Sequence, residues 1–225
     1  PSAEELKGLD LVVFDIQDVG VRFYTYIATL QLVMEACAES GIPVVVLDRP
    51  TPHAHYVDRP VMEPSHRSFL GMTDIPLVYG MTIGEYARMI NEEGWLENGI
   101  RANLTVIPLK GYQRSQSYQL PIPPSPNLPN TQAVRLYPSL GLFEGTRVNA
   151  GRGTSFQFQC FGAPFLSGAY FDFSYTPEPK PGASNPKHKG ALCHGRDLRE
   201  VTPPDSVRLS WLLEAYRNRE PGSEF

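Results

Sequence analysis

Cysteine is scarce in this 225-residue chain, with three residues at 37, 160 and 193. An odd, widely spaced set supplies neither a disulfide framework nor a C-x-x-C metal clip. Cys37 falls on the apolar face of a helical pattern, where it reads as a small buried hydrophobe. No apolar run approaches the ~20 residues needed to span a bilayer, and no signal-peptide pattern opens the sequence. A basic excess is missing as well: the net charge is −4, which argues against a nucleic-acid partner. The familiar cofactor and nucleophile motifs are absent too. There is no G-x-G-x-x-G after the first strand, no P-loop and no G-x-S-x-G elbow. His53 and His55 make an H-x-H without a matching third ligand. No cofactor and no resident metal are therefore expected.

What the chain does have is an apolar run that stops in acids. In residues 11–26, LVVFDIQDVGVRFYTY, the side chains Leu11, Val12, Val13 and Phe14 read as a strand buried on both faces, the pattern of a parallel sheet. Asp15 and Asp18 then sit at its carboxyl end, the edge where open α/β sheets bind ligands. Phe23, Tyr26, Ile27, Leu30, Val33, Met34 and Cys37 recur at helical spacing, so a helix is expected over 21–39, closed by Gly41. Asp18 could serve only as a helix cap with Arg22 as its partner, or it could act on a ligand; both readings stay open. Residues 42–47, IPVVVL, make a second buried strand ending in Asp48 and Arg49, which completes a βαβ unit and puts both sets of acids on one edge. The following loop, with prolines at 50, 52, 60 and 64, suits a stiff cleft wall. Thr82 and Glu85 form a capping box ahead of a helix, and residues 104–109 read as another strand.

Proline is abundant, at 22 residues, and five of them fall within residues 120–130. That segment is a linker or a rigid cleft edge. Beyond it, Glu144 lies between Phe143 and Gly145, and Gly151-Arg152-Gly153-Thr154 makes a turn presenting one guanidinium. Glycines beside a charge permit a ligand to approach the backbone, although a plain turn with a solvated arginine fits equally. The alternation in SFQFQCF and YFDFSY indicates half-exposed strands of an antiparallel or mixed unit. KPGASNPKHKG reads as an exposed loop, and a last helix is expected from Thr202 or Asp205. The fold class expected is α/β: a Rossmann-like parallel sheet with helices on both faces over residues 1–147, and a smaller α/β (α+β) domain over 148–225.

Carboxylates with aromatics suit glycoside hydrolysis, and arginine forks suit a substrate carrying a carboxylate. The same acids would suit Mg²⁺ in a phosphatase-like hydrolase, so composition alone leaves the chemistry open. The motifs FDIQDVGVRFYTYI, VVVLDRP, YGMTIGEYARMIN, PSPNLPNTQAVRLYPSLGLFEGT and GRGTSFQFQCFGAPF, in this order, closely resemble the bacterial exo-β-N-acetylmuramidases, long classed as a domain of unknown function. The resemblance implies a Rossmann-like domain joined to a smaller one, and release of terminal N-acetylmuramic acid from peptidoglycan fragments in the periplasm or outside the cell. On the matching positions, Asp18 and Glu144 are the candidate catalytic acids, and Asp15, Arg22, Tyr24, Asp48, Arg49 and Arg152 the candidate substrate-binding residues. The implied partner is a small carbohydrate, a muropeptide or an N-acetylmuramyl disaccharide; a non-catalytic muropeptide-binding module is the alternative. The family's proposed catalytic glutamate lies in a proline-glutamate-histidine-glycine motif on an earlier strand. This sequence has no such motif, so it is expected to be a fragment lacking the N-terminal strands. Two departures bear on substrate preference: TPHAH follows LDRP, and Tyr79 stands where many members have histidine.

Overall fold

A computed structural model describes all residues, 1–225, and divides them into two compact units, Pro1–Tyr118 and Gln119–Phe225. The division falls where the proline-rich segment begins.

In unit 1, helix α1 (Ala3–Leu6) precedes strand β1 (Val12–Phe14), helix α2 (Tyr26–Ser40) and strand β2 (Val44–Leu47). After a hairpin of β3 (Asp58–Val61) and β4 (Pro76–Val78) come helix α3 (Ile83–Glu92) and strand β5 (Leu104–Ile107). β1, β2 and β5 form a parallel sheet in the order β1-β2-β5, with Val12 opposite Val44 and Val44 opposite Leu104. Side chains alternate across a sheet, and the alternation here separates two unlike faces. Phe14, Val44 and Val46 pack with Leu30 and Met34 of α2 and Ile83, Tyr86 and Ile90 of α3 in one buried cluster. On the opposite face Val13 and Ile107 are 53% and 49% exposed. The two-sided burial expected of β1 is thus met on one side, because α2 and α3 both pack against that side.

Helix α2 begins at Tyr26, five residues later than its apolar period suggests. Residues 18–25 are diverted by long-range pairing. Val21 bridges to Val78, and the Arg22 N–H donates to the Leu77 carbonyl at 2.9 Å. Gly41, at φ +69°, closes the helix as expected. The Thr82–Glu85 capping box is formed in both directions, with Oγ1 of Thr82 accepting from the Glu85 N–H and the Glu85 carboxylate accepting from the Thr82 N–H.

In unit 2, helix α4 (Thr131–Leu140) is capped by the Asn130 side chain and runs into a 3-10 turn, Gly141–Gly145. An antiparallel sheet follows, of β6 (Cys160–Ala163), β7 (Phe173–Tyr175) and β8 (Cys193–Asp197) in the order β6-β8-β7. Helix α5 (Leu209–Arg217) starts later than Thr202 or Asp205, because the preceding segment is held to α4. The Arg208 N–H donates to Ser139 Oγ at 2.9 Å, and Asp205 pairs with Arg135 at 3.3 Å.

Candidate functional site

The carboxyl ends of β1 and β2 bring Asp15, Asp18, Asp48 and Arg49 to one edge, as the βαβ unit requires, but the four side chains do different work. Asp15 and Arg49 face solvent and pair, with Arg49 Nη2 2.6 Å and Nε 2.7 Å from Asp15 Oδ1. Asp48 is turned inward onto the start of α3. Its carboxylate accepts from the Gly84 N–H at 2.8 Å, from Thr82 Oγ1 at 2.9 Å and from the Arg49 N–H at 3.0 Å, which satisfies donors a helix N-terminus leaves open.

Asp18 is 2% exposed. Its Oδ2 accepts from the Gly20 N–H at 2.7 Å and from the Tyr79 hydroxyl, while Oδ1 has no partner. Burial pushes its pKa up to about 6, against the opposing pull of the Tyr79 hydroxyl and the Gly20 and Val19 N–H groups. Arg22 does not pair with Asp18. Its Nη1 donates to the carbonyls of Ile75 (2.6 Å) and Pro60 (3.0 Å), which ties the start of the α2 segment to the β3–β4 hairpin, and burial lowers its pKa. Tyr24 is half-buried and packs edge-on against Tyr26 with ring centres 5.1 Å apart. His53 is buried with Nδ1 2.6 Å from the Val19 carbonyl oxygen. No group of three or more His, Cys, Asp or Glu side chains is placed to hold a metal ion. Asp15 and Asp18, the pair a phosphatase-like reading needs, engage Arg49 and Tyr79 respectively.

Unit 2 brings together the other two predicted residues. Glu144 Oε2 accepts from Arg152 Nη1 at 2.9 Å, and Arg152 Nη2 donates to the Gly182 carbonyl at 3.0 Å. Both side chains remain more than one-third exposed. The glycines flanking Arg152 are close to the chain itself. A Cβ on Gly151 (φ +76°) would lie 2.8 Å from the Phe156 carbonyl oxygen, and one on Gly153 (φ +86°) 2.7 Å from Pro186 Cγ. The glycines therefore lock the turn against its neighbours, which corrects the reading that they open the backbone to a ligand.

Two residues that sequence reasoning passed over hold this arrangement. Lys187, in the supposed exposed loop, donates from Nζ to the carbonyls of Thr146 (2.6 Å), Phe143 (3.0 Å), Glu144 (3.1 Å) and Val148 (3.4 Å). Burial lowers its pKa, opposed by the charge of Glu144. Asn149, 1% exposed, donates from Nδ2 to the carbonyls of Lys187 and Arg152, and its own carbonyl accepts from the Tyr175 hydroxyl. Nothing in the local pattern around 187 marks a lysine that clamps a turn some forty residues earlier. Glu144, Asn149, Arg152, Asn185 and Lys187 line a cavity of about 220 Å³. Such a pocket offers one carboxylate, one guanidinium fork and amide groups, a set able to hold sugar hydroxyls or an acidic substituent.

The family models described as Exo-beta-N-acetylmuramidase NamZ, N-terminal, and Exo-beta-N-acetylmuramidase NamZ, C-terminal, match residues 1–132 and 135–219. The chain belongs to the NamZ family. Among NamZ relatives, the peptidoglycan beta-N-acetylmuramidase of Bacillus subtilis (strain 168) is 43% identical over 212 residues, which cover 88% of this chain and 50% of that protein. Crystal structures of two DUF1343 family proteins of Bacteroides fragilis NCTC 9343 have the same fold. The first superimposes with a TM-score of 0.94 at 45% identity, covering 100% of this chain and 64% of the other. The second gives 0.74 at 32% identity, covering 89% and 58%. The two-unit α/β architecture is therefore that of the NamZ family, and the chain spans half the length of its curated relative.

Proposed function

We propose that the protein is an exo-acting glycoside hydrolase that releases terminal N-acetylmuramic acid from peptidoglycan fragments, working in the periplasm or outside the cell. The observation that carries this reading is the 43% identity to the Bacillus subtilis peptidoglycan beta-N-acetylmuramidase. The Glu144–Arg152 cavity supports it, because the lactyl carboxylate of N-acetylmuramic acid is the kind of group a half-exposed guanidinium recognises.

Arg152→Ala is expected to weaken muramyl sugars roughly ten- to a hundredfold, the ~1.5–3 kcal/mol of a charged hydrogen bond. Glucosaminyl sugars, which lack the carboxylate, should be affected much less. Titration calorimetry with both ligands checks this, and an equal loss for the two would refute the role.

A second reading, a non-catalytic muropeptide-binding module, is favoured by the engagement of both candidate acids within the chain, Asp18 with the Tyr79 hydroxyl and the Gly20 N–H and Glu144 with Arg152. Hydrolysis of a chromogenic β-N-acetylmuramide separates the two when this chain is compared with a longer form carrying that motif. Activity only in the longer form supports the hydrolase and places the essential glutamate in the added segment. Silence from both, with binding intact, supports the binding module. Turnover by the 225-residue chain at the rate of the Bacillus relative would remove the need for that glutamate.

A further inference from the structure

The β3–β4 hairpin of unit 1 extends past its strands to a tight turn in which Ser68 and Gly71 exchange backbone hydrogen bonds of 3.1 and 2.8 Å. Phe69 and Leu70, at the tip, are 49% and 59% exposed. Just behind the tip, Arg67 and Asp74 form a two-pronged pair, Nε to Oδ1 at 3.0 Å and Nη2 to Oδ2 at 2.5 Å. Where α3 ends, Gly94 (φ +70°) turns the chain and the Trp95 N–H donates to the Ile90 carbonyl at 2.9 Å. Trp95 is left 41% exposed. Arg67, Asp74, Met72 and Trp95 together line a cavity of about 330 Å³. None of these residues belongs to the carboxyl edge of the parallel sheet or to the Glu144–Arg152 pocket.

We propose that this cavity binds one uncharged, N-acetylated sugar ring of a glycan chain. A pyranose has an apolar C–H face and a rim of hydroxyls, and it needs an exposed aromatic for the first and paired donors and acceptors for the second. Trp95 supplies the aromatic. The Arg67–Asp74 pair supplies both hydrogen-bonding signs in one fixed plane, since each partner holds the other and little freedom is lost when a ligand binds. Because the pair is neutral overall, an anion would meet Asp74 and a cation Arg67, so the site favours a ligand without net charge. The sulfur of Met72 and the Trp95 ring give the acetamido methyl an apolar seat. A volume near the low end of the ~300–1,000 Å³ range of small-molecule sites fits a single ring. The choice of an N-acetylated sugar rests on the peptidoglycan reading above, whereas the recognition of a neutral sugar ring rests on the cavity alone.

The chain has two tryptophans, one in each unit, so a Trp211→Phe variant leaves Trp95 as the sole indole reporter. Titrated with tri-N-acetylchitotriose, this variant should show a saturable change in emission with a dissociation constant in the millimolar range or tighter. Adding Asp74→Asn, which breaks the fork at a half-buried position outside the apolar core, should weaken binding at least tenfold while the thermal transition stays in place. Arg67→Lys, which keeps the charge and loses the fork, should also weaken it. Arg152→Ala should leave this titration unchanged and so separates it from the muramyl site. Maltotriose, which lacks the acetamido group, should bind much more weakly. Absence of a saturable response to the chitotriose, or identical titrations for Asp74→Asn and its parent, would overturn the proposal. Equal binding of maltotriose would overturn its N-acetyl specificity.

Discussion

Replacing Gly195 with alanine is expected to disrupt the antiparallel sheet of unit 2, at a cost of about 3 kcal/mol or more, the upper end of what overpacking does. Gly195 on β8 stands directly opposite Gly162 on β6. A Cβ at 195 would lie 1.8 Å from the Phe161 carbonyl oxygen and 2.6 Å from Gly162 Cα. Those neighbours are backbone atoms already committed to the ladder, so no side-chain rotation relieves the overlap. The facing glycine is equally confined, since a Cβ on Gly162 would come within 2.8 Å of both the His194 carbonyl oxygen and Tyr175 Cε1. The Tyr175 hydroxyl holds Asn149, which in turn holds the Arg152 and Lys187 carbonyls, so opening this sheet removes the support of the Glu144–Arg152 pocket. Urea unfolding followed by Trp211 emission in a Trp95→Phe background measures the effect. An alanine variant with an unchanged midpoint would show that the strands can separate without loss.

Asp18→Asn is expected to change how stability depends on pH. Asp18 is neutral in the folded chain up to about pH 6, whereas an unfolded aspartate loses its proton near pH ~3.9. Between those values the folded state holds a proton that the unfolded state has released, so stability falls as pH rises and levels off above about 6. The separation of about 2 pH units corresponds to about 3 kcal/mol of stability, fully present only below the unfolded pKa of ~3.9, still about 2 kcal/mol at pH 4 and lost by pH 7. An amide stays neutral throughout. Its oxygen can keep the Gly20 and Tyr79 bonds, while its NH₂ takes the place of Oδ1, which has no partner to lose. The stability difference between Asn and Asp should thus grow in favour of Asn from pH 4 to pH 7, read by urea unfolding of unit 1 through Trp95. Parallel pH profiles for the two chains would show that Asp18 titrates as an ordinary exposed acid.

Local features of unit 1 were legible in the residues. The apolar runs at β1 and β2, the Gly41 stop and the Thr82–Glu85 box each announce themselves within a few positions, and each is formed. What escaped is long-range. The β3–β4 hairpin includes Pro60 in a four-residue strand, and a proline there argues against a strand until its partner is known. The late start of α2 depends on Val21 meeting Val78, 57 positions apart in the chain, which no helical period reveals. The site divides in the same way. Glu144 and Arg152 lie eight residues apart and pair with each other, although the residues themselves marked one as a candidate acid and the other as a guanidinium for substrate. Asp48 has the residue type of a ligand-binding acid, but its carboxylate meets the start of α3, a role visible only once the helix is placed beside it. Lys187 shows the limit most clearly, because four carbonyls converging on one ammonium leave no trace in the composition of its loop.

The open face of the parallel sheet affects how the folded state of this chain is judged. Val13 and Ile107 stand half exposed on a rigid, hydrogen-bonded platform, with Leu11 46% exposed beside them. Fluorescent dyes such as ANS brighten on accessible apolar surface, and that brightening is commonly taken to mean a loosely packed, molten state. Here the dye would find an ordered surface in a natively packed chain. Near-ultraviolet circular dichroism, which reports fixed aromatic environments, is therefore the better guide to whether a preparation is folded.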